Sequence, residues 1–156
     1  MTSPEERLGA LGLKLPAVVA PLAAYVPAVR SGSHVYTSGQ LPLVAGELPA
    51  TGKVGAQVSA DQARKLARSC ALNGLAAVAS VTGGLSAVRR VVKVTGYVAS
   101  APGFTSQAQV VNGASELLLE VFGESGTHAR SAVGVAVLPL DAPVEVELIV
   151  EVADIP

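Results

Sequence analysis

Two side chains near the end of the chain have the types and spacing to do chemistry together. Arg130 opens a run with no further charge through Leu140, and Glu145 sits in an alternation of valine and glutamate, Val144-Glu145-Val146-Glu147. The arginine fork matches a carboxylate, and a carboxylate can take a proton from water. On the residues alone, Arg130 has two readings. It forms an ion pair with a glutamate of the neighbouring strand, or it holds the carboxylate of a small molecule. Other sets fare worse. His34, His128 and Cys70 lack the spacing of metal ligands. Cys70 falls on an apolar helical stripe, where a free thiol behaves as a small hydrophobe. Residues 46–54 imitate a phosphate loop, but the glycine spacing is one residue too long and Val54 stands where Ser or Thr must bind magnesium. They read as a surface turn. Ser38 lies in a strand and not on a nucleophile elbow, so it reads as a polar residue lining a pocket.

The elements that must position these residues follow from patterning. Ser3-Pro4-Glu5-Glu6 starts a short helix, and Gly12 ends it. Tyr25–Arg30 and His34–Leu41 read as a hairpin around Ser31-Gly32-Ser33. Gly39 inside the second strand suggests a bulge or a close approach by a ligand or another backbone. Residues 42–58 read as a loop. Ser59 caps a long helix that Gly83-Gly84 stops, and a third strand spans Val88–Ala99. Its residues Arg90, Val92, Val94, Gly96 and Val98 share one face, with Val91, Lys93, Thr95 and Tyr97 on the other. A second helix begins near Thr105 or Ser106 and ends at Gly123. Thr127–Pro139 and Val144–Val152 then read as a closing hairpin. The order is β-β-α-β-α-β-β, an α+β layout with one mixed sheet and two helices on one face. The other face, which carries Glu145, Glu147, Ile149 and Glu151, has nothing in this pattern to cover it.

Bulk properties narrow the function classes. Half of the 156 residues are hydrophobic and 15% are charged, which excludes a disordered chain and suggests a homo-oligomer. A net charge of −1 gives no general attraction to nucleic acid or to anionic membrane. One cysteine permits no internal disulfide, and Glu5, Glu6 and Arg7 stand where a signal peptide needs an apolar core. The cytoplasm is the expected location.

Taken in order, several motifs resemble those of the RidA (YjgF, reactive intermediate deaminase) family. They are Tyr36-Thr37-Ser38-Gly39-Gln40-Leu41-Pro42, Val111-Asn112-Gly113-Ala114, Ala129-Arg130-Ser131, Leu138-Pro139 and Val144-Glu145-Val146-Glu147, with Tyr25 at the family's first-strand tyrosine. The likeness spans Tyr25 to Val152. It implies a chorismate-mutase-like domain over 21–156 behind an N-terminal helical extension at 1–20. It also implies a homotrimer whose bare sheet faces pack about an axis, with clefts lined from two subunits. The activity implied is hydrolysis of enamines and imines, such as 2-aminoacrylate, to 2-oxo acids and ammonia, with no metal or organic cofactor. In this frame Arg130 grips the carboxylate of the small-molecule substrate, and Glu145 positions or activates water. Gly39 and Ala132 present backbone groups, Ser38 helps line the pocket, and Tyr25 and Asn112 shape it. The chain departs from the archetype at Ala132, where the family often has cysteine, and at Ala23-Ala24, where it has Gly-Pro. The N-terminal helix and the longer 42–58 loop are additions. The alternative is a non-enzymatic binder or regulator that uses the same cleft for carboxylate metabolites. An endoribonuclease ranks third, opposed by the near-neutral charge and the isolated His128.

Overall fold

The valine–glutamate alternation at the end of the chain forms the middle of the sheet. In the computed structural model, which describes residues 2–21 and 23–154, the elements are α1 (Pro4–Ala10), β1 (Ala28–Ser31), β2 (His34–Thr37), α2 (Ala60–Thr82), β3 (Val88–Ala99), α3 (Gln107–Phe122), β4 (Ala129–Val135) and β5 (Val144–Val152). The sheet order is β1-β2-β5-β3-β4. Among the described strands, only β3 and β4 pair in parallel. The α+β layout of one mixed sheet with helices on one face therefore stands.

The final two strands do not form the expected hairpin. β3 lies between β4 and β5, and β5 pairs with β2 on its other side. Strands joined by a helix are free to become parallel neighbours, and α3 carries the chain back to place β4 beside β3. β4 is consequently an edge strand, and no glutamate-bearing strand adjoins it. The early strands are also shorter than expected. Tyr25 precedes β1, and β2 stops at Thr37, after which Gln40 makes an isolated bridge to Val146.

Val144, Val146, Leu148, Val150 and Val152 are buried under the helices, while Glu145, Glu147, Ile149 and Glu151 alternate on the opposite face. Each fully buried Val or Leu contributes roughly 1.5–3 kcal/mol of transfer free energy. In β3 the alternation slips. A register shift between Val91 and Lys93 makes Val92 the extra residue, so Val91 joins Val94 on the helix side and pairs with Val150. The expected grouping of Val91 with Lys93, Thr95 and Tyr97 is corrected by this bulge.

Residues 52–58 are more than a surface turn. Val54 and Val58 enter the core, and Val54 exchanges hydrogen bonds with Ala99 and Ala101 at the end of β3. The N-terminal helix is docked as well. Ser3 and Glu6 form a reciprocal cap, Leu8 is 2% exposed within the core, and the Glu5 carboxylate accepts from the Leu85 and Ser86 amides and the Ser86 hydroxyl. Burial pushes the Glu5 carboxyl upward, but these donors outweigh it and hold the group below its ordinary range.

Candidate functional site

β4 carries Arg130 under α3. Arg130 is in register with Val94, whose β5 partner is Leu148, so all three lie on the helix side of the sheet. Its Nη1 donates to Asn112 Oδ1 at 2.7 Å and to Ser115 Oγ at 3.2 Å, and its Nη2 donates to the Ala108 carbonyl at 3.2 Å. Ala108, Asn112 and Ser115 are spaced by four and three residues, hence on one face of α3. Ser115 in turn meets His128 Nε2 at 2.9 Å, and His128 Nδ1 faces the Gly126 carbonyl. A carbonyl requires N–H at Nδ1, so in the neutral ring Nε2 accepts from Ser115.

Of the two readings of Arg130, the ion pair with a neighbouring-strand glutamate is not formed among the described residues. Its strand neighbour is β3, and among the described residues no carboxylate lies within ion-pair distance of it. The guanidinium is thus held by neutral acceptors with its charge uncompensated. Arginine has five N–H donors; with three engaged, two remain for a bidentate anion. Ala132 follows on the same face, in register with Gly96.

A second cluster lies on the opposite face of the sheet. Glu145, Tyr97 and Val133 form one row of the register, and Glu147 and Thr95 the next row toward β2. Gln40 and Val146 exchange backbone hydrogen bonds of 2.8 and 3.0 Å, which lays Gly39 directly over Glu145. A Cβ at residue 39 would fall 2.7 Å from the Glu145 carboxyl carbon. The expected close approach at Gly39 is therefore made by a side chain. Burial raises the Glu145 carboxyl, and the charge of Glu147 raises it further. Tyr97 donates to Glu147 Oε1 at 2.8 Å, and this bond, with burial and the glutamate charges, pushes its phenol up to about 12.

Tyr25 and Gly39 wall one recess with Gln40 and Leu41. The Ser38 hydroxyl instead donates to the Val26 carbonyl at 2.6 Å, which ties down the segment before β1. The expected site residues thus fall into two groups, Arg130, Asn112 and Ala132 in one and Tyr25, Gly39 and Glu145 in the other, with Ser38 bracing the second. β3 separates β4 from β5, and the Arg130 and Glu145 rows are three residues apart, so strand spacing and rise put their backbones roughly 14 Å apart. Sequence reasoning missed Ser115, Ala108, Glu147 and Tyr97. The helical spacing of Ala108 and Ser115 about Asn112 and the β period of Glu147 are the signals that could have found them. Cys70 is buried and its thiol is pushed well up by burial and by Glu145, as suits a core residue.

Residues 5–152 match the family model described as "YjgF/chorismate_mutase-like, putative endoribonuclease". Protein TCP17 of Trypanosoma cruzi is 49% identical over 90% of this chain and 89% of its own length. The "Putative reactive intermediate deaminase TdcF" of Escherichia coli K12 is 34% identical over 87% of this chain and 90% of its own. Among solved structures, Atu1372 of Agrobacterium tumefaciens superposes with a TM-score of 0.89 at 48% identity, covering 96% of this chain and 93% of that one. E. coli TdcF with bound serine superposes at 0.56 with 30% identity, covering 88% and 93%. Both the match along nearly the whole domain and the sheet order place the fold among the chorismate-mutase-like proteins, and the chain belongs to the YjgF/RidA family.

Proposed function

We propose that this protein hydrolyses reactive enamines and imines that carry a carboxylate, releasing 2-oxo acids and ammonia. The observation that carries this reading is the uncompensated Arg130 fork, preset by α3 with two donors unused. The serine bound to the relative TdcF bears the same carboxylate. Arg130 holds the substrate carboxylate and so fixes the imine carbon. Glu145 takes a proton from water as the oxygen bonds to that carbon. Glu145 returns that proton to the nitrogen, and as the C–N bond breaks the new hydroxyl gives up its own proton to the leaving nitrogen, so ammonia departs and the 2-oxo group forms. A carboxyl raised by burial and by a like charge is suited to proton transfer nearer neutrality.

One chain cannot apply both groups to one small substrate, since they lie on opposite faces of its sheet and roughly 14 Å apart by strand geometry. The site is then composite, with Arg130, Asn112 and Ala132 from one copy and Tyr25, Gly39 and Glu145 from the next. The open sheet face supports this assembly, since Val29 and Tyr36 are 51% and 46% exposed there. Three copies closed about an axis would repeat the contact. An RNA substrate has less support, because Arg64 and Arg68 are paired with Glu116 and Glu120.

The test is release of oxo acid from 2-aminoacrylate generated in the assay. Acceleration over buffer is expected. Buffer-like rates with retained 2-oxo acid binding would favour the second reading, a carboxylate-metabolite regulator, which draws on the same Arg130. Glu147→Gln provides a further check. Removing the like charge lowers the Glu145 pKa, so the acid limb of the kcat/KM profile should move to lower pH. An unmoved limb would remove Glu145 from the base role.

A further inference from the structure

The N-terminal segment between α1 and β1 walls a cavity of ≈ 500 Å³, bounded by Pro16, Val18, Val19, Ala20, Leu43 and Asn73 among others. This volume is in the range of small-molecule sites. The wall is anchored, since Leu8 lies in the core and Leu13 and Leu15 pack against it. The lining is largely aliphatic, with one built polar feature. Asn73 is 3% exposed, and its Nδ2 donates to the Leu41 and Leu43 carbonyls, both at 3.0 Å. Among the described residues nothing donates to its Oδ1, and that oxygen is not sealed from solvent. A buried amide held by its nitrogen leaves an acceptor for a ligand donor. Val19, Ala20 and Leu43 also wall the recess at Tyr25 and Gly39, so the two spaces adjoin.

We propose that this cavity receives the side chain of the substrate. It selects imino acids with a bulky, mainly apolar side chain that ends in a neutral O–H or N–H donor. The inference rests on the placement of the reaction beside Gly39 and Glu145. A charged side-chain end is disfavoured, because the aliphatic walls offer it no counter-ion. The smallest imines leave the cavity empty and Asn73 Oδ1 unused. A phenol or an indole fills the space and donates to that oxygen.

The experiment compares imines generated in situ from L-alanine, L-phenylalanine and L-tyrosine by an amino-acid oxidase, with oxo-acid release as the readout. The tyrosine-derived imine should exceed the phenylalanine-derived one by about tenfold in kcat/KM, the scale of one hydrogen bond to a buried polar group. Val18→Trp, which fills the cavity without touching the Gly39 recess, should remove that advantage and leave the alanine-derived imine unchanged. Asn73→Ser, which removes the amide oxygen, should reduce the tyrosine/phenylalanine ratio toward one. Turnover that ignores side-chain size and is indifferent to Val18→Trp would overturn this proposal and leave the reaction standing. No turnover of any imine would overturn both.

Discussion

Arg130→Ala should lower kcat/KM for 2-aminoacrylate by about 10²–10³-fold, the cost of losing a charge-assisted fork on a carboxylate. The melting temperature should change little, because the guanidinium is half-exposed and its partners Asn112, Ser115 and the Ala108 carbonyl can take water instead. Arg130→Lys should recover only a small part of the loss, since a point charge cannot make two parallel hydrogen bonds. Steady-state kinetics beside thermal melts would check this. A rate within about threefold of the parent would mean that Arg130 is a strut for α3 and not a substrate anchor.

The second large effect is on stability. Gly113 is buried where α3 crosses α2, and a Cβ there would collide with the Arg64 carbonyl group, its carbon only 2.8 Å away. Backbone cannot yield as a flexible side chain does, so Gly113→Ala must separate the two helices. Overpacking of this kind costs typically 1–3 kcal/mol, which for a chain of this size means roughly 2–12 °C in Tm. The pairs Arg64–Glu116 and Arg68–Glu120 bridge the same helices and should loosen with them. Calorimetry would check this, and an unchanged Tm would contradict the packing described for this crossing.

Both long helices are legible in the residues. Ser59 accepts the Gln62 amide at 3.1 Å as its cap, Gly83 takes φ 80° at the other end, and the apolar stripe between them is the buried one. β5 is equally legible, since strict alternation survives wherever one face is buried. Strand pairing is less so. A Pro-marked turn before a strand suggests a hairpin, yet the choice between β4 and β3 as neighbour of β5 is made by helix packing, which no local pattern encodes. The bulge at Val92 likewise leaves no mark, because Val fits either face.

The candidate site was legible as residue types and not as an assembly. Arg130 and Asn112 are far apart in sequence but meet because the helix period and the parallel β3–β4 register coincide. Gly39 reads as an anomaly in a strand, and the structure gives its cause as the Glu145 carboxylate beneath it. What residue patterns could not say is that Arg130 and Glu145 lie on opposite faces of one sheet.

That division is tested most directly by mixing two defective chains. Arg130→Ala and Glu145→Gln, each nearly inactive by itself, are co-expressed with different tags, and the mixed oligomer is isolated through both. If each site takes Arg130 from one copy and Glu145 from the next around a ring of three, every mixed trimer has both groups intact at one site in three, so about a third of the parent activity should return. Mixed oligomers with no more activity than either variant would contradict the composite site.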